Sequence, residues 1–159
     1  MEGNAEHPMR VADIPKFWLE KTMTKLHVND LNKNGIWDAE DMMMAADNII
    51  RIGNLTGAAA EKVRRGMQTI SDTASHFKTA TSLEQWLVEE YKLAKDIQRS
   101  TFCADIFATS FFEIFNIDSD GFVSMDAFMT YWRAYNLDPD FAYTQFAYMD
   151  TNRDGKISK

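Results

Sequence analysis

Residues 30–41 carry oxygen-bearing side chains at a spacing that suits one divalent cation. Asp, Asn and Asn stand at the first, third and fifth places, and Asp returns at the ninth and twelfth. Alternate oxygens along a tight curve can point inward at a hard cation, and the carbonyl at the seventh place adds another oxygen. Gly35, at the sixth place, allows the left-handed turn between the two halves. This stretch, named loop 1, is predicted to ligate a cation through the following groups: Asp30, Asn32, Asn34, the carbonyl of Ile36, Asp38 and Asp41.

The same pattern returns twice nearer the C-terminus, with poorer ligands. Loop 3 (116–127) has Asn at its first place and Ala at its twelfth; its candidate ligands are Asn116, Asp118, Asp120 and the carbonyl of Phe122. Loop 4 (150–159) reaches only its tenth place in this sequence; its candidate ligands are Asp150, Asn152, Asp154 and the carbonyl of Lys156. Without a closing carboxylate, loop 3 is expected to bind weakly or not at all, and loop 4 to bind poorly.

These patterns resemble the EF-hand calcium loop, in which a bidentate Glu fills the twelfth place. Asp41 is one methylene shorter than Glu, so bidentate ligation is harder and six-fold coordination is favoured. Small, octahedral Mg²⁺ tolerates that better than Ca²⁺ does. Loop 1 is therefore predicted to be a mixed Ca²⁺/Mg²⁺ site. Asp38 and Asp41 also suit the start of the following helix, as a cap and as a negative charge on its dipole.

Helices are needed on both sides of each loop, and apolar residues at helical spacing predict them. The pattern indicates helices from Ala12 to loop 1, from 42 to about 53, over 56–78, from about Ser82, and from about Thr101 to loop 3. One further helix is predicted after loop 3, and another is predicted to begin at Pro139. Between the helices at 56–78 and Ser82, residues 76–81 stand where a second loop belongs, without Gly or carboxylate. Gly121 and Gly155 lie 34 residues apart, so the unit repeats.

The predicted fold class is all-α, with two EF-hand pairs and short β contacts between paired loops. The four-hand plan has a degenerate second hand and a truncated fourth. The predicted divisions are a flexible tail over 1–11, an N-terminal pair over 12–97 and a C-terminal pair over 98–159. Val123 and Ile157, each at the eighth place of its loop, are suited to the β contact.

This plan resembles that of the invertebrate sarcoplasmic calcium-binding proteins, whose relatives include calexcitin, the coelenterazine-binding proteins and the photoproteins. The Asp at the twelfth place of loop 1 and Trp86 in the degenerate second hand carry the likeness. The resemblance implies a compact, cytosolic, mainly helical Ca²⁺ and Mg²⁺ binder with a shared apolar interior.

Composition narrows the choice of function. A formal charge of −7 and a pI near 4.9 argue against nucleic acid as a partner, because phosphate binding needs clustered Lys and Arg. Cys103 is the only cysteine, which excludes an intrachain disulfide and favours a reducing compartment. The polar N-terminus lacks a secretion signal, and no apolar run reaches the length of a membrane span. A cytoplasmic monomer is expected.

Three functions fit, and none is catalytic. The leading hypothesis is a calcium buffer or signal modifier. The alternatives are a carrier of a small apolar, coelenterazine-like ligand, suggested by 11 Phe, 5 Tyr and 4 Trp, and a sensor that offers Met42, Met43 and Met44 to a target helix. An enzyme is not expected, because His7, His27 and His76 lack metal-ligand spacing and Cys103 has no evident partner.

Overall fold

A computed structural model describes residues 7–159. Residues 1–6 of the predicted tail lie outside the described residues; 7–10 form neither helix nor strand, and Val11–Asp13 form a 3-10 turn. The regular elements follow in chain order: α1 (Lys16–Asn29), α2 (Ala39–Ile52), α3 (Gly57–Thr73), α4 (His76–Thr79), α5 (Leu83–Lys95), α6 (Ile97–Phe115), β1 (Phe122–Ser124), α7 (Met125–Ala134), α8 (Pro139–Met149) and β2 (Lys156–Ser158).

Three predicted helix boundaries were wrong. The first helix begins at Lys16 rather than Ala12, after Pro15 in the N-cap position. The helix predicted over 56–78 ends at Thr73, where Ala74 turns to an extended conformation without a Gly or Pro to mark the break. The helix predicted from about Thr101 begins at Ile97, because the Asp96 side chain accepts a hydrogen bond from the Arg99 N–H and caps it.

The predicted β contact is present. β1 and β2 pair antiparallel, with Val123 opposite Ile157. Together with eight α-helices in residues 7–159, this short ladder confirms the predicted all-α EF-hand fold.

The buried apolar residues form two clusters. The larger surrounds Trp86 and Met67 and extends to Ile114 and Tyr135, so α6 and α7 also contribute to it. The smaller surrounds Val123, Phe128 and Phe146 in the C-terminal half. The division into pairs at residue 97 stays a prediction.

Helices α3 and α6 approach closely at Gly66. A Cβ added to Gly66 would lie 2.6 Å from Cγ1 of Ile114, so a larger residue would require the Ile114 side chain to move. None of the helices within residues 7–159 is both long and apolar enough to cross a bilayer.

Candidate metal loops and an adjoining cavity

Loop 1 is organised by the side chains at its first, third and fifth places. Asp30 accepts hydrogen bonds from the N–H groups of Asn34 and Gly35, both at 3.0 Å. The amide oxygen of Asn32 accepts from the Asn34 N–H, and that of Asn34 from the Ile36 N–H, again at 3.0 Å. Gly35 has φ +91°, the left-handed conformation that the glycine was predicted to supply. The predicted ligands at these places therefore line one turn.

Asp41 closes loop 1 from its last place. One carboxylate oxygen accepts from the N–H groups of Leu31 (2.8 Å) and Asn32 (3.0 Å), and the other accepts from the Asp38 N–H at 3.0 Å. Asp38 in turn caps α2 by accepting from the N–H groups of Glu40 and Asp41. The capping roles predicted for Asp38 and Asp41 are thus present.

Two carboxylates of loop 1, Asp30 and Asp41, are buried without a basic partner in the described chain. Asp41 is 1 % exposed and Asp30 8 % exposed, and no ion pair involves Asp30, Asp38 or Asp41 among residues 7–159. Burial raises the pKa of Asp41, the nearby negative charge of Asp38 adds to the rise, and the three backbone N–H groups only partly oppose it. A cation in the loop would offset the cost of burying the negative charge of Asp41 beside that of Asp38.

The donor set of loop 1 fits a hard cation, because it offers carboxylate, amide and carbonyl oxygens. No group of three or more His, Cys, Asp or Glu side chains in the described part of the chain is placed to hold a metal ion. An ion in loop 1 would therefore depend on the oxygens of Asn32, Asn34 and Ile36 as well as on Asp30, Asp38 and Asp41.

Loop 4 repeats the turn of loop 1. Asp150 accepts from the N–H groups of Asp154 (3.1 Å) and Gly155 (2.8 Å), and Asp154 accepts from the Lys156 N–H at 2.9 Å. Asn152 takes the place of Asn32, with its amide oxygen 3.4 Å from the Asp154 nitrogen. The first five places of the two loops are therefore equivalent in conformation.

Loop 3 differs from loop 1 because two lysine side chains contact it. The ammonium of Lys62, on α3, donates to the Asn116 carbonyl at 2.7 Å and the Ser119 hydroxyl at 3.0 Å, and lies 3.5 Å from the Glu113 carboxylate. The ammonium of Lys156 lies 3.7 Å from the Asp120 carboxylate. Among the predicted ligands, Asn116 accepts from the Gly121 N–H and Asp120 from the Phe122 N–H. Within residues 7–159, the Asp118 side chain makes no hydrogen bond or ion pair.

Where the second hand lacks a loop, α4 lies beneath loop 1. The Phe77 ring packs on the Trp37 ring with centroids 5.0 Å apart. Trp37, at the eighth place of loop 1, is 3 % exposed and belongs to the larger apolar cluster. Its carbonyl accepts a hydrogen bond from the indole N–H of Trp86 at 2.8 Å.

A cavity of about 440 Å³ adjoins loop 1. Its walls are mainly apolar and aromatic and come from α1, loop 1, α4, α5, α6 and α7; the aromatic members are Trp37, Phe77, Phe107, Phe111 and Tyr131. Burial raises the pKa of Tyr131 to about 12, so its hydroxyl stays protonated at neutral pH. Cys103 also lines the cavity, and burial raises the pKa of its thiol. The Cys103 residue is 4 % exposed.

The polar side of the cavity is an ion cluster around Glu90. Its carboxylate lies 2.6 Å from the Lys25 ammonium and 2.9 Å from Nε2 of His76. Burial raises the pKa of Glu90, but the close contact with the His76 imidazole and the charge of Lys25 outweigh it and lower the pKa to about 2. The Lys25 ammonium also lies 4.8 Å from the centre of the Trp37 ring.

Sequence reasoning missed the partners of Glu90, Lys62 and Trp86. The contacts of Glu90 with Lys25, of Lys62 with Asn116 and of Trp86 with Trp37 join residues 49 to 65 positions apart in the chain. No local sequence pattern predicts contacts at such separations. His76, for which the sequence showed no metal-ligand spacing, is 3 % exposed and lies against Glu90.

Known proteins resemble the chain along nearly its whole length. The luciferin-binding protein of Renilla reniformis is 26 % identical over 156 residues, which is 96 % of this chain and 85 % of that protein. Calcium-loaded, ligand-free coelenterazine-binding protein of Renilla muelleri superimposes with a TM-score of 0.71 at 24 % identity, over 91 % of this chain and 84 % of that one.

A second similar structure is magnesium-loaded apo-berovin, a ctenophore photoprotein in which all three calcium-binding loops bind magnesium. Its TM-score is 0.61 at 20 % identity, over 87 % of this chain and 79 % of that one. No protein-family model matches the chain. The chain therefore has the EF-hand fold that coelenterazine-binding protein and berovin share, as its loops predicted.

Proposed function

We propose that the chain binds Ca²⁺ through loop 1, with Mg²⁺ competing for the same loop, and that it acts as a calcium buffer or signal modifier. The observation that carries this proposal is the burial of Asp30 and Asp41 without a basic partner in the described chain. Buried carboxylates need a hydrogen-bonded counter-charge, and a cation in loop 1 supplies it. The similar proteins are named for calcium, magnesium or luciferin binding, and this likeness supports the proposal.

Calorimetry with Ca²⁺ tests this proposal on three proteins: the unchanged chain, Asp30→Ala, and Asp118→Ala as the matched control in loop 3. The unchanged chain and Asp118→Ala should show the same high-affinity site, and Asp30→Ala should lose it. Equal binding by Asp30→Ala would contradict the assignment to loop 1.

Magnesium competition tests the predicted mixed character of the site. Because Asp41 favours six-fold coordination, millimolar Mg²⁺ should lower the apparent Ca²⁺ affinity of the unchanged chain. A Ca²⁺ titration curve that does not move in millimolar Mg²⁺ would make loop 1 selective for Ca²⁺.

The cavity favours a second candidate function, a carrier of a small apolar ligand. A volume of about 440 Å³ lies within the usual range of small-molecule pockets, roughly 300–1,000 Å³. Aromatic walls with a polar group at one side suit a flat ligand that carries a polar end.

Titration with the neutral fluorophore N-phenyl-1-naphthylamine tests the carrier function. Ala104→Phe on α6 should fill the cavity and abolish saturable one-to-one binding, since Ala104 lines it. Thr109→Phe, at an exposed position on the opposite side of the same helix, should bind as the unchanged chain does. Linear, non-saturating fluorescence with the unchanged chain would remove the carrier from consideration.

A calmodulin-like sensor has less support. Met42 is buried and Met43 packs against the core, so of the three consecutive methionines only Met44 is more than a third exposed. Cytoplasmic location, a monomeric state and the lack of catalysis stay predictions from the sequence.

A further inference from the structure

The two halves of the chain differ in what bonds to the eighth residue of each loop. In the C-terminal half, the eighth residues of loops 3 and 4 pair in the β ladder, with Val123 opposite Ile157. Loop 1 has no such partner, because the second hand has the short helix α4 where its loop would be. The backbone at Trp37, the eighth residue of loop 1, is thus without a neighbouring strand in the described chain.

Trp86 supplies the missing bond from a side chain. Its indole N–H donates to the Trp37 carbonyl at 2.8 Å, and its side chain is fully buried. Trp86 lies on α5, the helix that leaves the degenerate second hand. The indole therefore bonds to the residue position that a partner loop contacts in the other half.

This bond bears on the ligand set of loop 1. Ile36, whose carbonyl is a predicted ligand, directly precedes Trp37 in the chain. A hydrogen bond that holds the Trp37 carbonyl therefore restrains the backbone next to that ligand. The Phe77 ring, 5.0 Å from the Trp37 ring, restrains the side chain of the same residue.

We propose that Trp86 is a positioning residue for cation binding in loop 1, and that its indole N–H replaces the β bridge that the degenerate second hand lost. The proposal rests on cation binding by loop 1, as proposed above. It assigns to the second hand a role in ion affinity although that hand has no ligands of its own.

The test replaces the indole N–H group while the shape of the bicyclic ring is kept. Benzothienylalanine at position 86 has sulfur in place of the N–H group, and Trp86→Phe provides a second, encoded variant. Trp132→Phe is the matched control, because the indole N–H of Trp132 donates to the Asp138 carbonyl in the C-terminal half. Calorimetry with Ca²⁺ should show about a tenfold loss of affinity for both position-86 variants, which is the worth of one buried hydrogen bond. The control should stay within about twofold, the ordinary scatter for a distant change.

Indole NMR separates positioning from general destabilisation. In protein with ¹⁵N-labelled tryptophan, the Trp86 N–H resonance should move in proportion to added Ca²⁺ until loop 1 is saturated, because its acceptor lies in the loop. If the unchanged chain binds Ca²⁺ and the benzothienyl variant binds it equally well, the positioning role is overturned while the proposed function stands. If the unchanged chain does not bind Ca²⁺ at all, both are overturned.

Discussion

Loops 1 and 3 share a backbone pattern but balance their charges differently. In loop 1, Asp30 and Asp41 are buried and satisfied only by backbone N–H groups. In loop 3, Lys62 donates to the loop from α3 and Lys156 lies beside Asp120. The twelfth place holds a carboxylate in loop 1 and the buried Ala127 in loop 3, which packs with Val123 and Phe128.

The difference shows that the loop motif alone does not decide whether a metal is needed. In loop 3, the ammonium groups of Lys62 and Lys156 lie beside the loop and Ala127 packs in the apolar cluster. In loop 1, Asp30 and Asp41 are buried without an ion pair in residues 7–159, so under the proposed function a bound cation is expected to stabilise this loop.

The largest expected effect is the stabilisation of the chain by Ca²⁺. At a free concentration 100 to 1,000 times the dissociation constant, a ligand that binds only the folded state adds about 3–4 kcal/mol to the free energy of unfolding. Asp30→Asn should lose this gain, and Asp118→Asn in loop 3 should keep it. Urea unfolding with Ca²⁺ and with chelator measures both. A gain that survives Asp30→Asn would place the ion elsewhere.

The second effect concerns Glu90, which joins α5 to Lys25 at the end of the helix that enters loop 1. A carboxyl whose pKa is lowered on folding stabilises the folded state above its unfolded pKa, and this contribution is lost as the pH falls through the folded pKa. For Glu90 the window runs from its ordinary pKa of 4.5 down to about 2. The contribution at pH 7 is about 3 kcal/mol, from the size of the shift.

Glu90→Gln should therefore cost about 3 kcal/mol at pH 7, close to the usual cost of breaking a buried ion pair. It should also flatten the fall in stability between pH 4.5 and 2. Urea unfolding over that pH range measures the change, with Glu89→Gln as the control at an exposed pair with Lys92. Parallel curves for Glu90→Gln and the unchanged chain would show that Glu90 is not the group responsible.

The third effect removes the ammonium from loop 3. Lys62→Met should lower the free energy of unfolding by about 1–2 kcal/mol, since a hydrogen bond to a charged group is lost from a side chain that is 24 % exposed. Lys92→Met, at the half-exposed pair with Glu89, should change it by less than about 0.5 kcal/mol. The number of Ca²⁺ ions bound should not rise in Lys62→Met, because loop 3 still lacks a closing carboxylate. An additional calorimetric site would show that Lys62 had been competing with a metal.

The sequence could predict what local spacing determines. The turn residues at Gly35 and Gly155, the inward position of Trp37 and the pairing of Val123 with Ile157 all follow from places within a twelve-residue loop. The bond from Trp86 to Trp37, the Lys62 contact and the Glu90 cluster depend on how helices pack. The break at Ala74 also depends on packing, because no local residue causes it.

The smallest expected effect is a change of preference in loop 1 rather than of stability. Asp41→Glu lengthens the closing side chain by one methylene, which allows the bidentate contact that Ca²⁺ favours and octahedral Mg²⁺ does not. The ratio of Ca²⁺ to Mg²⁺ affinity should rise about tenfold, equivalent to about 1.4 kcal/mol. Calorimetric titrations with each ion measure that ratio, and Ala127→Glu in loop 3 is the matched change at the same place. If Asp41→Glu leaves the ratio unchanged, the length of the twelfth side chain does not set the ion preference.

The longer side chain can also disturb the loop by steric misfit, which is a separate effect from a change in ion preference. Because Asp41 also holds the backbone of Leu31, Asn32 and Asp38, a variant that loses affinity for both ions equally would have disturbed the closure of the loop instead of its selectivity.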